Sequence, residues 1–470
     1  MKSNIRLLSY FLLGALLLLI VYLTLTPTYL NYIERRVQRG ELVSLQDPRS
    51  WAFEASVKRG SILDRDGVVL AETVQDGADM SRRYPLGRAA AHVVGYFSPR
   101  YGSAGLEAGY AAPLLAMEEA DRAQTFFDRL RGRQIQGNDL NLTLKAGLQQ
   151  LAYQGLAGRK GAVVVLDPRT GAILALASSP SFAPGEIDRD MAGWRQDSSA
   201  PLLNRATQGA YPPGSVFKIV TAAAALQAHP GTLERTIQCQ GHLAVEGFRL
   251  EDNAVHGEVD FNRAMALSCN VAFATLGLET GGADFRRVAE SFGMGQGAAL
   301  GVPYRPGSLA GENELSGTEL ASSAIGQGQV LVNPLQMALI TAAVANGGTI
   351  MKPYLVAGVS TPEGRWRDEA RPVPWLRPLD AGTAALIAGA MEDVVKSGTG
   401  QRAAVRGVRV AGKTGSAQNP GGRTHAWFTG FAPADDPLVV VAVVLENAGS
   451  GGSVAAPLAR EVITAALPKD

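Results

Sequence analysis

Tyr211-Pro-Pro-Gly-Ser-Val-Phe-Lys218 runs without interruption into Ile219-Val-Thr-Ala-Ala-Ala-Ala-Leu226. Pro-Pro-Gly ends one segment, and the run that follows is too apolar for a surface helix, so it predicts a buried helix with Ser215 at its start. Ser215 and Lys218 are three apart and share one helix face, a turn from each other, where an amine can reach a hydroxyl. The amino-terminal end of a helix favours negative charge, which suits a serine that becomes an alkoxide and then carries an oxyanion adduct. That chemistry requires a neutral Lys218. Ser-x-x-Lys occurs once in the chain, and by itself it also describes a helix cap followed by a solvated lysine.

The 470 residues are 46% hydrophobic and 19% charged, which bounds the chain to two to four domains with ample core. A net charge of +1 and the lack of a long basic block give no reason for a nucleic-acid partner. Cys239 and Cys269 are too few for a disulfide framework, and neither sits in a Cys-x-x-Cys or metal-spaced cluster, so free buried thiols are expected. A bridge between them would suit an oxidising compartment, but spacing does not decide it.

Residues 7–25 form an uncharged run that as a helix would span roughly 28 Å, close to a bilayer core. Thr26-Pro-Thr-Tyr follows with no small-x-small cleavage site, which favours a retained anchor over a signal peptide. Lys2 and Arg6 on one side nearly balance Arg35, Arg36 and Arg39 on the other, so charge does not set the orientation.

After a polar stalk over 29–50, Val57 to Ala71 predicts a hairpin turning at Asp66-Gly67 and opening a small β-containing module. Leu86 to Tyr96 predicts a short helix, Gly102 to Tyr110 a loop and turn, and Met117 to Gln136 a linker or helical arm. Leu142 to Ala157 has helical spacing, and the runs over 161–167 and 172–177 flank a Pro-Arg-Thr-Gly turn as two strands. The middle, Ser215 to Leu355, is Ala-rich and reads as mostly helical. Strands return over 405–418, 424–431 and 438–445, closed by a helix over about 453–467. Two early and three late strands predict an α+β fold: one five-stranded antiparallel sheet covered by helices, with an all-helical insert carrying Ser215 across a groove from the late strands.

Two further motifs then converge on Ser215. Ser268-Cys269-Asn270 lies between two helix-like runs, where a hydroxyl can pass a proton and an amide can hold a substrate amide; at a helix junction the same residues also serve as a cap. Lys413-Thr414-Gly415-Ser416 lies on a strand, where Gly415 leaves room for a substrate backbone while Lys413, Thr414 and Ser416 offer a cation and hydroxyls to a carboxylate. Lys396-Ser-Gly-Thr399 has the same pattern but ends a helical run, so it is assigned to structure. Gly407 to Thr414 also matches the phosphate-binding loop Gly-x4-Gly-Lys-[Ser/Thr], with Asp167 as a candidate magnesium ligand, which makes a nucleotide hydrolase the alternative. Val408 and Val410 inside that loop and Pro420 after it argue against the helix that alternative needs. His425 is expected to be structural.

The ordered set Ser-x-x-Lys, Ser-x-Asn, Lys-Thr-Gly resembles penicillin-binding proteins and serine β-lactamases. Arg59-Gly-Ser-Ile-Leu-Asp-Arg-Asp-Gly67, Tyr84-Pro-Leu-Gly87, Gly105-Leu-Glu107, Ile325-Gly-Gln-Gly328, Asn333-Pro-Leu-Gln-Met337 and Trp427-Phe-Thr-Gly-Phe431 extend the resemblance, from about residue 57 to the end, to class B penicillin-binding proteins. These are membrane-anchored D,D-transpeptidases that cross-link peptidoglycan during division or elongation. The resemblance implies a cytoplasmic tail over 1–6, a membrane helix over 7–25, an extracytoplasmic pedestal domain over 26–137 and a transpeptidase domain over 138–470.

It also implies Ser215 as the nucleophile acylated by D-Ala-D-Ala stem peptides or β-lactams, and Lys218 as its base. Ser268 would relay a proton, Asn270 would hold the peptide amide and orient Lys218, and Lys413, Thr414 and Ser416 would bind the terminal carboxylate beside Gly415. The backbone N–H groups of Ser215 and Ser416 would form the oxyanion hole. No metal or organic cofactor is implied, and the expected partner is a polytopic glycan polymerase of the shape, elongation, division and sporulation family. Glu312-Asn-Glu-Leu-Ser316 matches the Glu-x-x-Leu-Asn loop of deacylating β-lactamases only in part, so rapid penicillin hydrolysis is not expected. A scaffold that activates a polymerase without catalysis is the binding-class alternative.

Overall fold

The computed structural model describes residues 10, 12–22, 54, 57–76, 79–309, 315, 317–419 and 422–468. It divides into two units, Met1–Ala55 and Ser56–Asp470. In the first, residues 10 and 12–22 are helical and exposed. They belong to the run expected to cross a membrane; the rest of that run and the stalk over 29–50 lie outside the described residues, as does the loop over 312–316 apart from Leu315. Among the described residues no helix is long and apolar enough to cross a membrane.

The second unit opens with strands β1 (Ile62–Leu63), β2 (Val69–Asp76) and β3 (Asp79–Arg83). The hairpin turns at Asp66-Gly67 as expected, because Asp64 Oδ1 accepts from the N–H groups of Asp66 and Val68, both at 2.8 Å. Its other oxygen accepts from Ala146 N at 2.9 Å, supplying the cap that the helix start at Lys145 lacks. Glu107, fully buried, is clamped by Arg59 Nε at 2.6 Å and Arg82 Nε at 2.7 Å. Burial pushes its carboxyl up, but the two guanidinium groups outweigh that and hold it below its ordinary range. Within the stretch expected as a loop and turn, Gly102–Ala104 pairs with Tyr96–Ser98 and Leu106–Gly109 forms a helical turn; elements this short show no periodicity to read. The charged arm contains helix α1 (Arg122–Leu130).

Strand β4 (Asp139–Leu142) pairs in parallel with β1, and the sheet runs on through two strands from the middle of the chain. Helix α2 (Ala146–Gly155) therefore starts later than its apolar spacing suggested, because Leu142 still belongs to a strand. Strands β5 (Gly161–Leu166) and β6 (Ile173–Ser179) form the expected hairpin. Then come helices α3 (Lys218–Ala228), α4 (Phe261–Leu267), α5 (Asn270–Thr280), α6 (Gly317–Ala324) and α7 (Pro334–Ala345). Strands β7 (Val356–Ser360) and β8 (Trp366–Glu369) complete a six-stranded sheet of order β8-β7-β4-β1-β2-β3. The expected domain boundary between residues 137 and 138 falls beside β4, so this sheet draws strands from both sides of it.

Helix α8 (Ala381–Lys396) leads to strands β9 (Ala411–Ala417), β10 (His425–Ala432) and β11 (Val439–Leu445), and helix α9 (Ala456–Ala466) closes the chain. The central sheet is antiparallel with order β6-β5-β11-β10-β9. Strands β5 and β11 are buried along their whole length because helices cover both faces. Val164, Val440, Ala442 and Val444 join the core that includes α3 and α7; their neighbours Val163, Val165, Val441 and Val443 join a second core with α2 and α9. Each such valine withdrawn from water contributes about 1.5–3 kcal/mol, which is why unbroken apolar runs mark the two inner strands.

Two expectations need correction. The insert is not all-helical: Ile237–Cys239 pairs with Gly257–Val259, and His242–Val245 pairs with Phe248–Glu251. The second hairpin turns on Glu246 and Gly247, both at positive φ (50° and 81°), and strands of three or four residues with outward Arg249 and Glu251 leave little pattern to detect. The strand expected from 405 begins only at Ala411, since Val405 and Val408 bridge to each other in a turn.

Candidate active site

Pro212 and Pro213 end one segment, Gly214–Phe217 forms a 3₁₀ turn, and α3 continues from Lys218, so Ser215 stands at a helix start as expected. Three contacts hold this turn. Tyr211 exchanges backbone hydrogen bonds with Val332, Gly214 N donates to Gly326 O at 2.7 Å, and Trp427 Nε1 donates to Pro212 O at 3.1 Å. The turn packs against the face of β9 that carries Gly415 and Ala417. A side chain on Gly415 would come within 2.9 Å of Pro213 O and 3.2 Å of Val216 Cγ1, so only glycine lets Ser215 approach this strand. Ser215 is half-buried, whereas residues 218–226 of α3 are buried throughout.

Lys218, fully buried, donates to Ser268 O at 2.6 Å and Asn270 Oδ1 at 2.8 Å, and lies 3.4 Å from Ser268 Oγ. Burial lowers its pKa from 10.5 to about 7, with Asp252 pulling weakly the other way. Ser268 caps α4 in the left-handed conformation (φ 59°, ψ 38°), a strained state for a residue with a side chain. It aims the hydroxyl at a second buried amine: Lys413 Nζ donates to Ser268 Oγ at 2.9 Å and to Thr414 O at 3.0 Å. Burial and then the charge of Lys218 push Lys413 well below its ordinary value. Asn270 opens α5 and is steadied by its amide, which donates to Glu251 O at 3.1 Å.

Lys218, Ser268, Asn270 and Lys413, which are far apart in sequence, are thus joined by direct hydrogen bonds. Thr414 and Ser416 share the opposite face of β9 from Lys413 and Gly415. The Thr414 hydroxyl meets Thr399 Oγ1 at 2.6 Å, and Ser416 Oγ accepts from Gly451 N at 3.3 Å. Thr399 was missed in the sequence because it follows Lys396 in the duplicate motif. Lys396 itself is exposed at the end of α8, where Ser397 N and Gly398 N close the helix on Asp393 O, as expected. Lys413 and Thr414 sit inside a strand paired with β10, and no helix starts there, which excludes the phosphate-binding-loop alternative. His425 Nδ1 accepts from Asn447 N at 3.2 Å and its ring packs on Tyr211, a structural role.

Asp252 was also invisible in the sequence. Its Oδ2 accepts from Cys269 Sγ at 3.0 Å, Cys239 Sγ at 3.4 Å and Val271 N at 2.9 Å, which anchors the turn carrying Ser268 and Asn270. Both cysteines are free and buried. With His256 they form a group whose ligand atoms all lie within 4.8 Å of one another, a donor set able to hold a divalent ion of the zinc type. The four residues are spread over positions 239 to 269 and share no metal-ligand spacing in the sequence, so only folding brings their donor atoms together.

A serine at a buried helix start, an amine whose pKa is lowered by burial, and a lysine-bearing edge strand on a helix-covered antiparallel sheet define a serine acyl-transfer enzyme of the penicillin-recognising fold. A family model described as "Penicillin binding protein transpeptidase domain" matches residues 161–464, and one described as "Penicillin binding protein A dimerisation domain" matches residues 59–140. The chain belongs to the penicillin-binding proteins, and within them to class B. It is 34% identical to the peptidoglycan D,D-transpeptidase PbpA of Mycolicibacterium smegmatis over 99% of both chains. It is 34% identical to the peptidoglycan D,D-transpeptidase MrdA of Acinetobacter baumannii over 82% of this chain and 65% of that one. The structure of penicillin-binding protein A from M. tuberculosis as an imipenem acyl-enzyme complex superposes with a TM-score of 0.83 at 33% identity, covering 88% of this chain and 100% of that one.

Proposed function

We propose that this chain cross-links peptidoglycan as a serine D,D-transpeptidase and is acylated by β-lactams through Ser215. The observation that carries the assignment is the hydrogen-bonded chain from Lys218 through Ser268 to Lys413. A neutral Lys218 has two N–H bonds, and Ser268 O and Asn270 Oδ1 take both, which leaves its lone pair for the Ser215 proton. Ser215 Oγ then attacks the carbonyl of the penultimate D-alanine. The oxyanion is met by the N–H groups of Ser215 and Ser416.

Collapse of the adduct breaks the peptide C–N bond. Because Ser268 Oγ accepts from Lys413, its own proton is free to pass to the departing D-alanine amine and to be replaced from Lys218. The amine of a second stem peptide attacks the ester, the new peptide bond forms, and Ser215 leaves with a proton returned by the same route. Lys413 is committed to Ser268 and to Thr414 O, so it acts on the substrate carboxylate through its charge, and the hydroxyls of Thr414 and Ser416 make the direct contacts. In a β-lactam the broken ring amide stays tethered, so the leaving amine cannot give way to an acceptor and the ester persists.

The segment over 7–25 would anchor the protein in the cell membrane, with residues 1–6 cytoplasmic, the pedestal over 26–137 outside, and the transpeptidase domain over 138–470 beyond it. A glycan polymerase supplying nascent strands is the partner this arrangement fits. Full-length protein incubated with a fluorescent penicillin should form a stoichiometric adduct that is absent in Ser215→Ala; labelling that survives the substitution would refute the assignment of the nucleophile.

A further inference from the structure

We propose that α1 is an interfacial element that lays Phe126, Phe127 and Leu130 into an anionic lipid surface, an inference that rests on the membrane anchoring proposed above. The three side chains are 50%, 52% and 69% exposed and occupy one side of a nine-residue helix. The phenyl rings meet edge to face at 5.8 Å, forming a single wedge. Exposed Arg131 and Arg133 follow directly, so cations flank the wedge at the carboxyl end of the helix, while Glu118 and Glu119 lie at its other end. Aromatic and aliphatic side chains beside guanidinium groups are the chemistry that binds the headgroup boundary of a bilayer carrying negative lipid.

The position of the helix favours the same occupant. Val57–Lys58, where the chain first pairs within the folded unit, runs parallel to Ile135–Gln136, with Val57 opposite Ile135. The first paired residue of this unit, which follows the apolar amino-terminal run in the chain, therefore lies beside a strand that begins a few residues past the end of α1. Tethering by that run would raise the local lipid concentration, so a short helix with weak intrinsic affinity suffices. A second copy of the chain is a poorer fit, because three side chains expose far less than the roughly 800 Å² per partner that a stable interface buries.

The test uses the full-length chain reconstituted into vesicles of phosphatidylethanolamine and phosphatidylglycerol, with an apolar dye attached through Phe127→Cys; the native thiols are buried. Spin-labelled lipid should quench this dye about five-fold or more strongly than the same dye at Phe248→Cys on the exposed hairpin, and replacing phosphatidylglycerol by phosphatidylcholine should weaken the quenching. Adding Phe126→Ser and Leu130→Ser should reduce it several-fold while penicillin acylation, the check on folding, is unchanged. Equal quenching at the two positions overturns the proposal. So does a dye at position 127 that is shielded from aqueous iodide but not quenched by lipid, which reports a second copy. Failure of the protein to float with the vesicles refutes the anchoring itself and the proposal with it.

Discussion

Lys218 and Lys413, both fully buried, converge on the hydroxyl oxygen of Ser268, at 3.4 Å and 2.9 Å. Two ammonium groups cannot both be kept this close and this dry without cost, so the site favours a state with fewer than two protons on the pair. That state is the one in which a base is available to Ser215.

Acylation should therefore depend on pH through Lys218. Its folded pKa, lowered to about 7, means the amine is protonated and idle below that value and free above it. The rate of reaction with a fluorescent penicillin should rise about ten-fold per pH unit on the acid side and level off above neutrality. Lys218→Arg, which stays charged, should abolish the reaction at every pH. A rate independent of pH across neutrality would remove Lys218 from the role of base.

Ser268 offers a separation of backbone from side chain. Its left-handed conformation costs a non-glycine residue about 1–2 kcal/mol. Ser268→Gly should match or exceed the parent in thermal stability while losing most acylation, because the strain and the hydroxyl go together. Ser268→Val should lose both stability and activity, since branching at Cβ makes this conformation worse. Melting temperatures and acylation rates measured on the same preparations check both.

Thr399 should tune recognition of the substrate carboxylate through its hydrogen bond to Thr414. Thr399→Val is expected to slow acylation by a carboxylate-bearing β-lactam on the order of ten-fold, with little effect on the same compound as its methyl ester. Thr399→Ser should restore the difference. A purely structural role would depress both compounds alike.

Glu107→Gln should destabilise the second unit by about 3–5 kcal/mol, because Arg59 and Arg82 would remain buried without the carboxylate that pairs with both. The carboxyl is held below its ordinary range when folded, so its contribution is complete at neutral pH and is lost as acidification protonates it. Denaturant midpoints at neutral and acid pH should show the variant's deficit shrinking toward acid.

The site was legible where chemistry is local. Ser215 and Lys218 are three residues apart at one helix start, where the Pro-Pro-Gly break and the apolar run placed them, and β5 and β11 announced a doubly covered sheet by being apolar at every position. Lys413 was separable from Lys396 because proline and paired glycines rule out a helix after one, while a helical run precedes the other. Thr399 and Asp252 carried no such signal. Each acts through a contact made across the fold, to Thr414 in one case and to the two thiols and Val271 in the other.

The amino-acid order by itself determined which groups could react, since the helix start, the strand-borne lysine and the apolar periods follow from near-neighbour sterics and side-chain chemistry. Only the tertiary structure decided that burial would lower the pKa of Lys218, that Ser268 would stand between two amines, and that short hairpins would interrupt a helical insert. Those outcomes depend on burial and on pairing between distant segments, and desolvation is a property of the packed interior that no run of residues possesses alone.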